Sequence, residues 1–211
     1  FTPIGLKPIP SPKNHFVEKM NIVWFKRDLR LADHNPLQCA IQEGHPLLLL
    51  YIQEPELWEN EHMDHRHNRC IYQSLQSMNN QLTAFNQRIV VMEGNPLYVF
   101  KYIHQRYSIR HVFSHQETGL RQTYQRDLQL KDFFNKSSIL WKEFQRNGVQ
   151  RGLKNRDTWK KAWYIYMNSP IPKVDYAQLP HPPSIDSLPE FDWPAKLTAP
   201  NKHFQRIGLG L

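Results

Sequence analysis

Apolar residues occur in short blocks, separated by stretches in which they recur every three or four positions. The first block, 21–25, reads Asn-Ile-Val-Trp-Phe and stops abruptly at Lys26-Arg27-Asp28-Leu29-Arg30. A helix opens at Asn35-Pro36, with the proline at its first position. Leu37, Ala40 and Ile41 form its apolar face, and Gly44 suits the stop. Residues 47–52, Leu-Leu-Leu-Leu-Tyr-Ile, are apolar on both faces, as central parallel strands are. Between 63 and 85, Ile71, Leu75, Met78, Leu82 and Phe85 are spaced by fours and threes, which predicts a helix. A strand at 88–92 closes with Gly94. Asn95-Pro96 then repeats the capping device before a helix bearing Leu97, Phe100 and Ile103. A fourth strand, 109–113, runs into Ser114-His115-Gln116-Glu117-Thr118-Gly119. A helix to about Phe134 and a strand at 138–141 complete the alternation.

Parallel neighbours need crossover connections, so strands alternating with helices predict a parallel sheet with right-handed crossovers. The expected fold is α/β: a doubly wound, Rossmann-like sheet of five parallel strands in the order 3-2-1-4-5, flanked by helices. Strand 21–25 is then internal, and Val23, Leu49, Val90, Val112 and Leu140 are buried. Such sheets bind ligands outside the carboxyl ends of their strands, where strand order reverses. That places the loops 25–30 and 113–119 on the binding edge. Past Trp141 the pattern changes. Residues 155–168 read as a helix whose stripe of Trp159, Ala162, Trp163, Tyr166 and Met167 suggests core packing. Eight of the sixteen prolines then fall between 170 and 200, the composition of an extended linker. The expected division is an N-terminal extension or added remnant at 1–19, an α/β domain at 20–168, and a Pro-rich linker at 169–211.

With 211 residues, 40% of them hydrophobic and 22% charged, the chain suits one folded domain with tails. No apolar run approaches the ~18–20 residues of a membrane span, and the proline-bearing first nineteen residues lack a secretory apolar core. Two cysteines, Cys39 and Cys70, make neither a disulfide framework nor a metal-ligand spacing. A reducing compartment, the cytoplasm, is expected. The formal charge is +8. Between Trp141 and Lys161 there are seven basic residues against Glu143 and Asp157. That run is either a solvated face or a surface for an acidic partner.

The chemical motifs exclude more than they assign. No Gly-x-Gly-x-x-Gly follows the first strand, and no Walker-type loop occurs. His62, His65 and His67 cluster without a thiolate or an ordered carboxylate set, so no metal is expected. Ser114, His115 and Glu117 are too close in sequence to orient one another as a triad. No catalytic residue is assigned. Two readings fit the charged turn 26–30: Asp28 accepts hydrogen bonds from the ring N–H groups of a bound heterocycle, or the charges form salt bridges that fasten the turn to a neighbouring domain.

The segment from Val23 to Leu37, Val-Trp-Phe-Lys-Arg-Asp-Leu-Arg-Leu-Ala-Asp-His-Asn-Pro-Leu, resembles the opening of the photolyase/cryptochrome family. Tyr51-Ile52-Gln53-Glu54-Pro55-Glu56-Leu57-Trp58 resembles its second strand and exit. Arg66-His67 with Ser74-Leu75 resembles its second helix, and Ser114 to Gly119 followed by Thr123 to Asp127 its fourth strand's exit and next helix. Residues 147–159 resemble a segment of a bacterial-type branch. The resemblance implies the N-terminal, antenna-binding domain of a flavoprotein whose helical C-terminal domain holds FAD. In that family, light-excited reduced FAD donates an electron to a pyrimidine dimer in DNA, or signals in cryptochromes. The antenna is a folate, deazaflavin, lumazine or second flavin. It further implies that Phe25, Lys26, Arg27, Asp28, Ser114, Gln116 and Glu117 border the antenna pocket, and that Arg30 and Asp33 tie the turn into the fold and the domain interface. The family's linker enters the helical domain through a phenylalanine and paired glycines. Here Phe204-Gln205-Arg206 is followed by Ile207-Gly208-Leu209-Gly210-Leu211, and Lys26 replaces the usual arginine. The parent is expected to be a DNA photolyase (a light-dependent lyase) or a cryptochrome photoreceptor. The chain alone is expected to hold no FAD and to catalyse nothing, with the helical domain, and DNA for the whole protein, as partners. A stand-alone nucleotide- or flavin-binding module is the remaining alternative, disfavoured by the long linker.

Overall fold

The computed structural model describes residues 19–58, 63–153, 155–184 and 188–198. The expectations placed on the N-terminal extension, His62 and Phe204 to Leu211 lie outside the described residues. Strands β1 (Lys19–Phe25), β2 (Leu47–Gln53), β3 (Ile89–Glu93), β4 (Ser108–His115) and β5 (Leu140–Phe144) form one sheet, in the order β3-β2-β1-β4-β5. Every pairing is parallel. The crossovers carry helices α1 (Asn35–Gln42), α2 (Pro55–Trp58), α3 (His65–Leu82), α4 (Pro96–Arg106) and α5 (Arg121–Lys136). β1 lies at the centre, the position its unbroken burial from Met20 to Phe25 requires.

The sheet separates two cores. Ile22, Trp24, Leu50, Val90, Phe100, Val112 and Phe134 pack on one face, and Val23, Phe25, Leu49, Leu75, Leu82 and Phe113 on the other. Helix starts follow the sequence signals closely. Asn95 caps α4 by accepting a hydrogen bond from Leu97 N, and Asp64 and His67 form a reciprocal capping box on α3. Gly44, at φ +67°, takes the left-handed conformation just beyond α1. The cap of α1 is His34 rather than Asn35: its imidazole accepts from Leu37 N.

Two expectations need correction. Leu140 is 51% exposed, while Ile139 is buried and Trp141 packs against the core. The last strand is an edge strand over Leu140–Phe144, and its inward phase falls on the neighbours of Leu140, one residue off the expected one. Helix α6 (Trp159–Met167) starts after residue 155, and none of its residues is buried. Trp159 and Met167, assigned to a core stripe, are exposed. The Pro-rich segment forms a strap along the fold. Leu47 N donates to His181 O, Gln87 Nε2 to Pro180 O, and Phe191 N to Val91 O on the outer strand β3. Arg88 pairs bidentately with Glu190, and Leu197, in the short helix α7 (Ala195–Thr198), is buried. Val174, Tyr176, Leu179, Phe191 and Trp193 complete the core over β2 and α3. Among the described residues, no helix is long and apolar enough to cross a membrane.

Candidate functional site

The carboxyl ends of β1, β2 and β4 converge on a set of buried charges. Lys26 leaves β1 with its ammonium 4.3 Å from the Trp24 ring centroid and 5.1 Å from that of Trp141. Its partner is Asp127 Oδ2, at 3.2 Å. Arg126 donates to Asp127 Oδ1 through Nε and Nη2, at 2.9 and 2.7 Å, and to Glu54 Oε1 through Nη1, at 2.5 Å. Arg151 reaches over from the loop after β5. It donates to Glu117 O at 2.8 Å and Glu143 Oε1 at 2.9 Å, with Nη2 3.5 Å from Asp127 Oδ2. Asp127 therefore serves three cations. Burial lowers the Lys26 ammonium against the pull of Asp127, and it raises the Glu54 carboxyl up to about 7 against the pull of Arg126.

Asp28 faces inward. Its Oδ1 accepts from Lys26 N at 2.7 Å, while His34 Nε2, at 2.9 Å, and His115 Nδ1 meet Oδ2. All three side chains are buried. Burial alone would raise the Asp28 carboxyl, but the hydrogen bonds from His115 and His34 outweigh it and hold the group well below the ordinary range. Carboxylate and imidazoles lie close enough to resemble a metal-ligand set. The tautomer rules that out. Leu37 N–H points at His34 Nδ1, so that nitrogen carries the lone pair and Nε2 carries the proton it gives to Asp28. The triad pins the charged turn to α1 and β4.

The seven residues expected to border a pocket come together at this edge, at different depths. Phe25 is fully buried against the His34 ring, and Ser114 is buried with its hydroxyl accepting from Trp141 Nε1 at 3.0 Å. Lys26 and Asp28 lie beneath the surface. Arg27 is exposed, with Nε 3.8 Å from the buried Glu117 carboxylate. Only Gln116 lines the large cleft at this edge, about 540 Å³, whose walls include Gln145, Gln150, Arg151, Asn155 and Thr158. One wall depends on Gly148: a side chain there would meet the Trp163 indole at 2.1 Å, so glycine alone lets α6 settle on the loop, where Tyr166 also donates to Gln145 O. The sequence reading missed the roles of Arg126 and Asp127. Their signal was present, since spacings of three and four from Thr123 to Leu130 and Phe134 put both on the inward face of α5.

Comparison with known proteins meets this geometry from outside. The family model for DNA photolyase matches residues 21–151, well over half of the chain. The chain belongs to the DNA photolyase family. A deoxyribodipyrimidine photo-lyase of Vibrio cholerae is 25% identical over 167 residues, covering 72% of this chain and 35% of that protein. Cryptochrome-1 of Drosophila melanogaster is 25% identical over 175 residues, covering 80% of this chain and 30% of that protein. The solved cryptochrome of Synechocystis superposes with a TM-score of 0.69 at 22% identity, over 87% of this chain and 41% of that one. A photolyase from Sulfolobus tokodaii, solved with two FAD molecules, superposes with a TM-score of 0.57 at 17% identity, over 79% of this chain and 38% of that one. The chain thus spans about a third of the length of the curated photolyase and cryptochrome it matches. It is related to both photolyases and cryptochromes and corresponds to the N-terminal part of the family.

Proposed function

We propose that this chain is the antenna-chromophore domain of a photolyase/cryptochrome flavoprotein, with a planar heterocycle seated at the carboxyl edge of the sheet. The observation that carries this reading is the cleft beside Gln116, at the sheet edge where doubly wound folds bind ligands. Its volume lies within the range of small-molecule sites. The amides of Gln116, Gln145, Gln150 and Asn155 both donate and accept, which suits the mixed hydrogen-bonding edge of a pteridine or flavin ring. Arg27 and Glu117 would form the rim. Phe25, Lys26, Asp28 and Ser114 would form the floor, and Asp28 would act by holding the turn rather than as a direct anchor.

The parent activity would be light-driven repair of dimerised pyrimidines in DNA, with FAD in a helical partner domain supplying the electron. That domain would also cover the exposed apolar residues Tyr164, Ile165 and Ile171 on and beyond α6. Blue-light signalling is the second reading, favoured by a cryptochrome match of the same identity as the photolyase match. An open cleft forfeits about 25 cal/mol for each Å2 of ligand left wet, so binding to the chain alone should be micromolar or weaker. Fluorescence titration with a folate and with FMN tests this. Gln116→Ala should weaken the preferred chromophore by about fivefold, as loss of one hydrogen bond implies. Equal affinity in the variant, or no binding of either compound, would refute the placement.

A further inference from the structure

The opposite edge of the sheet carries a second concavity that the antenna reading leaves unused. It encloses about 340 Å³ and is lined by Lys19, His104, Arg110, His111, Ser108, Ser137 and Ser138, together with Ile109 and Leu140. Among the described residues, no carboxylate lines it. We propose that this amino edge binds a phosphate group, either free or carried by a small ester.

Two irregularities of the backbone fall on this lining. β1 and β4 pair Met20 with Ile109 and Asn21 with His111, so Arg110 is the extra residue of a β-bulge. Bulges re-aim side chains, and Arg110 is turned outward between neighbours that stay at least partly covered. Ser138 holds a φ of +56°, a left-handed conformation uncommon outside glycine.

The lining also leaves donors over. Among the described residues neither Lys19 nor Arg110 enters an ion pair or hydrogen-bonded side-chain contact, and His104 Nδ1 is buried without a hydrogen-bond partner. His111 is differently placed. Its Nδ1 meets Glu43 Oε2 at 2.6 Å, and that carboxylate is also held by Asn21 at 2.9 Å and Lys142 at 2.6 Å. The Glu43 carboxylate is therefore already held by three partners.

An alternative use for these cations is to offset the negative ends of α4 and α5, which finish nearby. The carbonyls there are largely satisfied within the backbone: Tyr107 N takes Ile103 O, Ser137 N takes Phe133 O, and Ile139 N takes Phe134 O. Arg110 stands on a strand, not in a terminal turn. Two side-chain cations, an imidazole and three serines around a space larger than one phosphate fit a tetrahedral oxyanion with room for its ester group.

Amide chemical-shift titration of the chain with orthophosphate, and separately with adenosine monophosphate, tests this, using potassium chloride at matched ionic strength as the reference. Shifts should concentrate at Ser108, Arg110, Ser137 and Ser138, and leave Gln116 and Gln150 unmoved. Arg110→Ala and Lys19→Ala, both at exposed positions, should each weaken binding by about tenfold. Lys131→Ala, on the exposed side of α5, should change nothing. Tighter binding of the monophosphate would assign an ester ligand, and equal or tighter orthophosphate would assign free phosphate. Absence of local shifts, shifts reproduced by chloride, or an unchanged affinity in Arg110→Ala would each overturn the proposal.

Discussion

Asp127 and Lys26 form one contact, yet their removal should have unequal consequences. In Lys26→Met the buried ammonium goes, and with it the cost of holding it away from water. The new side chain keeps the bulk that fills the space beside Trp24 and Trp141. Asp127 retains two hydrogen bonds from Arg126 and the charge of Arg151 at 3.5 Å. The net change should be within about 1 kcal/mol, because the remaining carboxylate stays compensated by both arginines and no buried charge is left alone. In Asp127→Asn a single charge is lost, but Lys26, Arg126 and Arg151 all lose their common partner. Glu54, Glu117 and Glu143 cannot reach Lys26 as closely. Breaking a buried ion pair from one side costs about 3–5 kcal/mol. With a urea slope of about 2 kcal/mol/M, the midpoint should fall by roughly 1.5–2.5 M. Urea unfolding followed by tryptophan fluorescence measures both variants. A larger loss for Lys26→Met than for Asp127→Asn would refute the account of Asp127 as the shared counter-charge. Salt should alter the difference little, since the groups are buried.

Glu54 predicts a pH effect of the less familiar sign. Its carboxyl titrates near 7 in the fold against an ordinary 4.5, so between those values the unfolded chain has released a proton that the native chain still holds. Its contribution to stability is present below about 4.5 and is lost as pH rises through 7. The stability gap between Glu54→Gln and the native protein should therefore shift in favour of the variant from pH 5 to pH 7.5, and a constant gap in urea midpoints would contradict this. Leu197→Ala, in the strap, should cost about 2–3 kcal/mol through lost packing on α3, whereas Leu140→Ser on the exposed edge should stay within about 0.5 kcal/mol. Calorimetric Tm values that rank the two substitutions the other way would refute the placement of the strap.

The core of the fold was legible because its strands are buried on both faces and its helices keep a strict period. Val23, Leu49, Val90 and Val112 lie where the pattern puts them. Leu140 did not, because it opens an edge strand whose inward phase is set by its pairing with β4, which composition does not encode. The strap was illegible for a different reason. Prolines remove periodicity, and the burial of Phe191 and Leu197 is created by the sheet edge and by α3, elements more than a hundred residues earlier. At the candidate site the charged turn announced itself, but the direction of Asp28 is decided by His115, 87 residues away. The cleft beside Gln116 likewise depends on Gly148 admitting Trp163, a close approach that only the assembled chain reveals.

The strap also sets the order in which the domain can be completed during synthesis. Gln87, at the start of β3, is separated by 93 residues from the Pro180 carbonyl that its amide reaches. At about 5–20 residues per second, a ribosome needs roughly 5–20 s to make that stretch. Through this interval the outer flank of β3 and the apolar face of α3 lack the segment that finally covers them. β1 faces a similar wait for β4, its neighbour on the other side. A nascent chain of this design passes through a period with an unshielded strand edge, when chaperones or neighbouring nascent chains can reach β3 before the strap does.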